Sequence, residues 1–400
     1  MSWEKVKLGE ISFCIQPGPF GSQLHNSDYA DEGTPIIMPK DMVDGHIRHT
    51  GLIRVPEEHV ARLQRHQVCA GNLMVARKGD VRKCVYITEN ENGWLTGSDC
   101  LKVALNENVC FPKYIYYQLR SPYIGRWLEQ ISIGATMPSI NTGLLSGIEM
   151  YLPSLETQRR IADILSAYDD LIENNRKQIK LLEEAAQRLY KEWFVDLRFP
   201  NHEHTKIVDG VPEGWRVTTL DEICSVRKEM LTPEKIDVDT PYIGLEHIPR
   251  KDICLSEWGS SSEISSNKFR YYEDDILFGK IRPYFHKVGF ALNNGVTSTD
   301  AIVLKSTEGL WSLLLMTASS SEFVSYTYQN CKEGAKMPRA DWKQMKSYPT
   351  IIADRAIQSA FEDQIYTITR KIKVLALQIN RLSEARDRLL PKLMSGEVEV

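Results

Sequence analysis

Long apolar runs are missing from this sequence of 400 residues. The longest one, around 310–316, is far shorter than the roughly 20 apolar residues that a membrane-spanning helix needs. The opening stretch, Met-Ser-Trp-Glu-Lys-Val-Lys, also lacks the apolar region of a signal peptide. We therefore expect no membrane contact and a cytoplasmic location.

Closely spaced cysteine pairs are also missing. The eight cysteines are scattered, and no two of them form a Cys-x-x-Cys pair. Zinc fingers and ribbons need such pairs, and His202-Glu203-His204 lacks the i, i+4 spacing of histidine ligands on a helix. We expect no metal site, and mainly structural free thiols in a reducing compartment.

Motifs of common catalytic sites are absent as well. The sequence has no Gly-x4-Gly-Lys-Ser/Thr phosphate loop, no Asp/Asn-Pro-Pro-aromatic motif of amino-methyltransferases, no Gly-x-Ser-x-Gly elbow and no His-Glu-x-x-His. Asp275 and Lys280 resemble part of a nuclease motif, but the second carboxylate is missing. The matching residues earlier in the chain are Asn72 and Arg77. We therefore expect no catalytic centre and no cofactor in this chain.

An excess of basic charge is missing too. The 49 lysines and arginines face 53 acidic residues, which gives a net charge of −4. Non-specific affinity for nucleic acid comes from neutralising phosphates, so this balance argues against a purely electrostatic binder. The balance is still compatible with a sequence-specific DNA-binding protein whose basic residues lie on one face.

What the sequence does contain is a long repeat. Gly-Ala-Thr-Met-Pro at 134–138 returns as Gly-Ala-Lys-Met-Pro at 334–338, and 334 − 134 = 200. Other matches follow in the same order, with offsets that drift between 200 and 212 as surface loops gain and lose residues: Trp3-x4-Leu8 with Trp215-x4-Leu220, Thr34–Ile37 with Thr240–Ile243, Gly71–Arg77 with Asp274–Lys280, and Ser98-Asp99 with Thr299-Asp300. The chain is a tandem duplication, which predicts two similar domains.

Each repeat mixes strand and helix signals. Short β-rich runs such as 84–88 and 287–291 lie between Gly, Asn and Asp turns. One helix follows in each repeat, at 112–130 and 310–328. The pattern predicts two α+β globular domains.

After each globular domain the apolar residues change to a heptad spacing. The segment 156–194 contains neither Gly nor Pro. Its apolar positions alternate spacings of four and three, and adding 200 gives a second, mostly apolar set: Ile161, Leu165, Tyr168, Ile172, Asn175, Ile179 and Leu182, then Phe361, Ile365, Ile368, Ile372, Leu375, Ile379 and Leu382. This spacing predicts two coiled-coil helices, and the alternative is an amphipathic helix packed on its own domain.

An antiparallel pair of these helices needs no long return loop. The prediction is therefore a dumbbell: two pseudo-symmetric α+β domains joined by two long helices that form an antiparallel coiled coil. Asn175, at a core position near the middle, would fix the register. The predicted segments are a first domain at 1–153, a helix at 154–199, a second domain at 200–350 with a polar linker at 200–214, and a second helix with a tail at 351–400.

Several motifs resemble the specificity (S) subunits of type I restriction-modification systems. They span nearly the full chain: Leu-Leu-Pro-Lys-Leu-Met-Ser-Gly-Glu-Val at 389–398, Pro-Glu-Gly-Trp at 212–215, Gly-Pro-Phe-Gly-Ser at 18–22, Ile-Leu-Phe-Gly-Lys-Ile-Arg-Pro-Tyr at 276–284, and Leu152-Pro153 followed by Gln158 and Ile161. The second repeat departs from this last pattern, because it reads Tyr-Pro-Thr-Ile-Ile at 348–352. The two helix starts are therefore not strictly equivalent in sequence.

The resemblance implies a function. Two target-recognition domains would read an asymmetric, two-part site on double-stranded DNA, one half each. Two methyltransferase (modification) subunits would dock around the helices, and restriction (motor-nuclease) subunits would join them. S-adenosylmethionine, ATP and Mg²⁺ would be bound by those partners, and each half-site would be methylated on an adenine. A helix of about 33 residues is roughly 50 Å long, which is about 15 base pairs and fits such a site.

Candidate DNA-contacting residues are polar side chains at matching places in the two repeats, since base edges and phosphates are contacted by such groups. In the first repeat they are Ser22, Gln23, Lys40, Arg77, Lys78, Arg82 and Lys83, and in the second Lys280, Arg282, Tyr284, His286, Lys287, Lys336 and Arg339. The basic run 77–83 is expected on a strand-to-strand turn. The Met-Pro repeat itself is expected to be a structural loop, with Lys336 and Arg339 placed to contact phosphate.

Two other functions stay open on the sequence alone. A coiled-coil adaptor that binds only proteins would keep the helices but need no basic clusters. A stand-alone methyltransferase or nuclease would need cofactor or metal residues that the sequence does not offer.

Overall fold

The computed structural model of the chain describes residues 3–134, 136–331 and 336–400, and only the backbone of Glu263. The chain divides into two compact units: unit 1 is Met1–Asp170 with Ser383–Val400, and unit 2 is Leu171–Leu382. Each unit combines β-sheets with helices, so the predicted α+β class is confirmed.

Unit 1 is built around two small sheets. Its strands are β1 (Glu4–Lys7), β2 (Ser12–Pro17), β3 (Thr34–Ile37), β4 (Met42–Val43), β5 (His46–Ile47), β6 (Ile53–Val55), β7 (Leu73–Ala76), β8 (Cys84–Tyr86), β9 (Leu95–Thr96), β10 (Cys100–Leu105) and β11 (Glu149–Leu152). An antiparallel sheet has the order β2-β10-β7-β8, and a second has the order β6-β3-β9. Strands β1 and β11 form a separate antiparallel pair, as do β4 and β5.

The helices of unit 1 follow or connect these strands. They are α1 (Glu57–Val60), α2 (Pro112–Leu119), α3 (Pro122–Ile131), α4 (Thr142–Ser146) and the long helix α5 (Leu155–Tyr190), which extends into unit 2. Helix α2 is buried on nearly every side, with Tyr114 and Tyr117 among the largest fully buried side chains. It forms the centre of the unit 1 core.

Unit 2 has the same arrangement of sheets and helices, but its two main sheets have five strands each. Its strands are β12 (Ile207–Val208), β13 (Val211–Pro212), β14 (Arg216–Thr219), β15 (Cys224–Arg227), β16 (Met230–Leu231), β17 (Pro241–Ile243), β18 (Cys254–Leu255), β19 (Gly259–Ser260), β20 (Lys268–Tyr271), β21 (Ile276–Gly279), β22 (Val288–Ala291), β23 (Gly295–Thr297), β24 (Ala301–Ser306) and β25 (Pro349–Ile352). Its helices are α6 (Leu220–Ile223), α7 (Trp311–Ala318), α8 (Ser321–Gln329), α9 (Trp342–Met345) and the long helix α10 (Arg355–Ser395), whose last residues belong to unit 1.

Sheet order confirms the duplication. The order β2-β10-β7-β8 of unit 1 returns as β15-β24-β21-β22 in unit 2, where β18 is added at the edge. The antiparallel pair β1–β11 returns as β14–β25. A parallel pair, β3–β9, returns as β17–β23 in the second sheet. The two repeats therefore share their strand pairing as well as their motifs.

The single helix predicted in each repeat is wrong, because each is two helices. In unit 1 the break lies between α2 and α3, where Ser121 accepts a hydrogen bond from the Ile124 N–H and Pro122 begins the second helix. In unit 2 Ser320 plays the same part for α8 by accepting from the Phe323 N–H. Serine at the N-cap satisfies a free N–H and starts a new helix, which outweighs the continuous apolar spacing.

The two long helices run antiparallel where they pack in unit 2. Asn175 donates a hydrogen bond to Gln378 over 3.4 Å. Trp193, in the π-helical turn Lys191–Val195 that follows α5, contacts Phe361, nearer the start of α10. In unit 1, Ile161 and Leu165 of α5 share one core with Leu390 and Leu393 of α10. All the residues predicted at coiled-coil positions are buried or half-buried.

Candidate nucleic-acid interface

The same turn occurs at the end of one β-hairpin in each unit. We call Arg77–Lys83, between β7 and β8, basic turn 1, and Lys280–Lys287, between β21 and β22, basic turn 2. The predicted strand-to-strand turn at 77–83 is therefore confirmed. Both turns begin alike: the Arg77 N–H donates to the Asp99 carbonyl over 2.7 Å, and the Lys280 N–H donates to the Asp300 carbonyl over 2.8 Å.

The Met-Pro loop packs against this turn in both units. The Pro138 carbonyl accepts from the Gly79 N–H over 3.0 Å, and the Pro338 carbonyl accepts from the Arg282 N–H over 2.8 Å. The next residues pair back: Ile140 N–H to Arg77 O, and Ala340 N–H to Lys280 O, both over 2.9 Å. Ala135, Gly334 and Ala335 of the repeated motif lie outside the described residues. For the rest of the motif, these bonds explain why it occurs twice: each copy holds a basic turn in place.

Two further loops border basic turn 1. The guanidinium of the half-buried Arg77 lies 5.9 Å from the ring centre of Phe20, which puts the exposed Ser22 and the half-buried Gln23 in its neighbourhood. Lys83 donates its Nζ to the Pro39 carbonyl over 3.1 Å, next to the exposed Lys40. The candidate residues of the first repeat thus come from three loops that meet at one turn.

Acidic residues accompany several of the predicted basic contacts. Lys78 lies 3.0 Å from Asp99, and Arg339 lies 3.1 Å from Asp300, its counterpart in unit 2. Arg82 lies 3.1 Å from Asp80, whose hydrogen bond raises the arginine pKa. Exposed pairs of this kind contribute little to stability, so a phosphate can replace the carboxylate at small cost. The ion pairs therefore hold the three cations in place without binding them strongly to the carboxylates.

Three of the predicted basic residues anchor their turns. Lys83 bonds the Pro39 carbonyl, and Lys287, at the equivalent end of basic turn 2, bonds the Leu245 carbonyl. Lys280 likewise donates to the Thr299 carbonyl over 2.7 Å. Partial burial lowers the pKa of both Lys280 and Lys287. Their ammonium groups are bonded within the chain, so Lys83, Lys280 and Lys287 are poorer candidates for DNA contact than the other basic residues.

His286 is placed differently from the other candidates. Its side chain is 8% exposed, and its Nε2 donates to the Ser319 carbonyl over 2.8 Å. Burial lowers its pKa and so favours the neutral ring. The structure brings His286 to basic turn 2, but beneath the surface.

Unit 2 carries a cleft beside its turn that the sequence did not indicate. The cleft has a volume of about 940 Å³, and six of its lining residues are Lys228, Phe269, Lys280, Met337, Arg339 and Lys343. Met337 and Met230, both on its wall, are each more than half exposed. Exposed apolar side chains among cations suit a ligand that has both charge and flat apolar faces. Lys228 and Lys343 were missed because neither belongs to a repeated motif.

The nuclease-like residues have structural roles. The Asp275 carboxylate receives two hydrogen bonds from Arg227, over 2.8 and 3.2 Å, and a third from the Tyr272 N–H. Asn72, its counterpart, accepts from the Cys69 N–H in the same way, three residues back. Both side chains thus accept the backbone N–H three residues earlier and shape the turn.

Other kinds of site are not formed by the described residues. Within 3–134, 136–331 and 336–400, no three His, Cys, Asp or Glu side chains come together as a metal-binding group. All eight cysteines are free. Burial raises the pKa of Cys84, Cys110 and Cys224 to about 12, which makes them inert thiols. Every helix in the described part of the chain falls short of the length or apolar content that crossing a bilayer requires.

Residues 2–184 match the family described as type I restriction modification DNA specificity domain. The family resemblance inferred from the motifs is thereby confirmed.

Relatives cover the rest of the chain. The type I restriction enzyme MjaIX specificity subunit of Methanocaldococcus jannaschii is 25% identical, over 100% of this chain and 94% of that protein. The type I restriction enzyme HindI specificity subunit of Haemophilus influenzae is 23% identical, over 99% of both chains. The crystal structure of a type I restriction-modification S subunit from M. genitalium has a TM-score of 0.61 at 16% identity, covering 98% of this chain and 96% of that one. This last likeness shows that the fold is shared over nearly the whole length.

Proposed function

We propose that this chain is the DNA specificity subunit of a type I restriction-modification complex, with one half of a two-part target read by each unit. The observation that carries the proposal is the duplicated interface: the same hairpin turn, held by the same Met-Pro loop, in two units. The side chains on the two turns differ, Arg77-Lys78-Gly79-Asp80 against Lys280-Ile281-Arg282-Pro283. Equal frames with different side chains suit two half-sites of different sequence, because base edges are distinguished by the contacting side chains.

The chemistry of the complex then belongs to partners. Two methyltransferase subunits would pack on the long helices and carry S-adenosylmethionine, and restriction subunits would carry ATP and Mg²⁺. This chain would supply no catalytic group and no cofactor site, and would act in the cytoplasm. Support comes from the absent catalytic motifs and from the structural roles of Asp275 and Asn72.

Mapping of N6-methyladenine in a host without endogenous methylation tests the proposal. The gene is co-expressed with the methyltransferase gene of its operon, and methylated sites are found by long-read sequencing. We expect an asymmetric two-part motif with a fixed spacer that disappears when this gene is deleted. Methylation that is unchanged by the deletion, although the complex forms, would instead favour a protein-binding adaptor.

Salt dependence separates the same two functions in vitro. A complex that holds DNA through the exposed cations of both turns should lose roughly 10³-fold or more in affinity between 50 and 200 mM salt. Fluorescence anisotropy with a labelled duplex that carries the mapped motif measures this loss. A flat response would contradict DNA binding through these residues.

A further inference from the structure

Basic turn 2 contains two residues in the left-handed backbone region, neither of which is glycine. Arg282 has φ 50° and ψ 66°, and His286 has φ 54° and ψ 51°. They bracket the short 3₁₀ turn Pro283–Phe285. In basic turn 1 the equivalent of Arg282 is Gly79, with φ 79°, since both donate to the proline carbonyl of the Met-Pro loop. Unit 1 uses the residue that adopts this conformation freely, and unit 2 does not.

The strained turn is fastened at both ends. At one end, the Arg282 N–H is bonded to the Pro338 carbonyl. At the other, His286 is buried, with its ring bonded to the Ser319 carbonyl and its own carbonyl accepting from the Lys251 N–H over 2.9 Å. Non-glycine residues stay in this region only where their surroundings hold them, and such places concentrate at functional sites.

The exposed part of basic turn 2 is an aromatic side chain, Tyr284, with two arginines nearby. Tyr284 is 47% exposed, and its ring packs edge to face on Tyr328, 46% exposed, with 5.2 Å between ring centres. Phe285 lies beneath it, with the guanidinium of Arg250 4.0 Å and that of Arg282 5.8 Å from its ring centre. In the described part of the chain neither guanidinium forms an ion pair. Two unpaired cations beside an exposed hydroxyl match a phosphate backbone next to a base edge.

We propose that Tyr284 determines which base is accepted in the half-site of unit 2, and that His286 is its positioning residue. The inference rests on the proposed function and deepens it. The phenol hydroxyl would contact a base edge, Arg250 and Arg282 would hold the flanking phosphates, and the buried imidazole would keep the turn in its strained shape. His286 thus changes from a DNA-contacting candidate to a support beneath one.

The two-part target provides an internal control for the test. The complex with its methyltransferase is assayed on duplexes that carry the mapped motif, or one mismatch in either half. For Tyr284→Phe, which keeps the ring, we expect the preference for the correct base at one position of the unit 2 half to fall about tenfold, since one good base contact has a discrimination of that order. Preference in the unit 1 half should not change.

Variants of His286 test the positioning role. His286→Ala should reduce discrimination in the unit 2 half in the same way, while His286→Asn should restore part of it. Asparagine tolerates the left-handed region and keeps a hydrogen-bond donor. Tyr123→Phe, which removes an exposed hydroxyl from α3 rather than from either turn, is the matched control and should behave as the wild type.

Each outcome decides something. Equal loss of methylation in both halves for Tyr284→Phe and His286→Ala would mean a general folding defect and would overturn the inference. Full discrimination in the unit 2 half with Tyr284→Phe would overturn it as well. If the wild-type chain directs no two-part motif at all, the proposed function fails first, and the role of Tyr284 fails with it.

Discussion

Glu183 is a single buried side chain that joins the long helix α5 to the sheet of unit 2. It lies on α5, is 5% exposed, and accepts a hydrogen bond from the Ile253 N–H, just before β18, over 2.9 Å. Burial raises the pKa of this carboxyl from its usual 4.5 to about 7, and the nearby Asp252 adds to the rise. The folded unit therefore holds a proton that the unfolded chain releases between pH 4.5 and 7.

Unit 2 should lose stability as the pH rises through this window. The contribution of Glu183 is fully present below pH 4.5 and lost above pH 7, because the raised pKa favours the protonated folded state. Hydrogen exchange of 253–256, corrected for intrinsic rates, should be faster at pH 8 than at pH 5.5. Glu183→Gln keeps the acceptor oxygen but cannot ionise, so its corrected rates should be nearly the same at both pH values. An equal pH response in both proteins would contradict this account.

Basic side chains also show the limit of sequence analysis at this scale. The composition of the run 77–83 was enough to predict basic turn 1, whereas basic turn 2 was not predicted. It could not separate the lysines that anchor the turns from those free to bind DNA, because the acceptor of Lys83 is the carbonyl of Pro39, 44 positions away. For the same reason the sequence could not show that the His286 ring is buried, since its acceptor, the Ser319 carbonyl, is 33 positions away.

Among the elements, the end of α10 depends on one buried ion pair. Arg386 lies at a position of α10 that the heptad spacing predicts to be apolar. Its guanidinium lies 2.5 Å from the Asp169 carboxylate of α5. That carboxylate also accepts from the Tyr117 hydroxyl over 2.7 Å. The pair joins α2, α5 and α10 within unit 1.

Arg386→Met should loosen the end of α10 far more than its charge suggests. The substitution removes the nearer of the two guanidinium groups beside the Asp169 carboxylate and leaves only Arg120, 3.9 Å away. We expect a cost of about 3 kcal/mol, the low end for breaking a buried pair. Hydrogen exchange of 383–395 should accelerate about a hundredfold. Arg388→Met is the matched control, because its ion pair with Glu384 is exposed and should matter little. Adding Asp169→Asn to Arg386→Met removes the charge but keeps an acceptor for the Tyr117 hydroxyl, so it should restore part of the protection. Failure to do so would count against a buried-charge penalty.

Helices were predictable from the sequence to different degrees. The long ones were found because heptad spacing continues over many turns, and every predicted core position is at least half-buried. The shorter ones were merged, because apolar spacing alone runs through the break at Ser121 and Pro122. Capping residues decided the boundary, and they give a weaker signal than periodicity.

For the whole molecule, the duplication predicts that the two halves of the target are read independently. Arg77→Ala, in basic turn 1, should relax selection in the unit 1 half and leave the unit 2 half intact. Methylation mapping with the variant shows this directly. Lys7→Ala removes the same charge from β1, away from the turn, and should leave the motif unchanged. Relaxation of both halves by Arg77→Ala would show that the units do not act separately.

The repeat was the most informative feature of the sequence for the whole chain. Matching motifs gave two domains, and matching strand orders confirmed them. The repeat could not show which side chains contact the DNA. Its two copies share the strands and loops that hold the turns, whereas the side chains on the two turns have diverged. The cleft beside basic turn 2 has no repeated motif to reveal it.

Unit 1 is built from the two ends of the chain, which has a consequence for protein synthesis. Its core contains Leu390, Leu393 and Met394 together with Ile161 and Leu165. The ribosome must first make Leu171–Leu382, which is 382 − 171 + 1 = 212 residues. At roughly 5–20 residues per second this takes about 10–40 s, during which the nascent first unit has an uncovered apolar stripe that chaperones and proteases can bind. Unit 1 is therefore the first unit whose translation begins and the last to be completed.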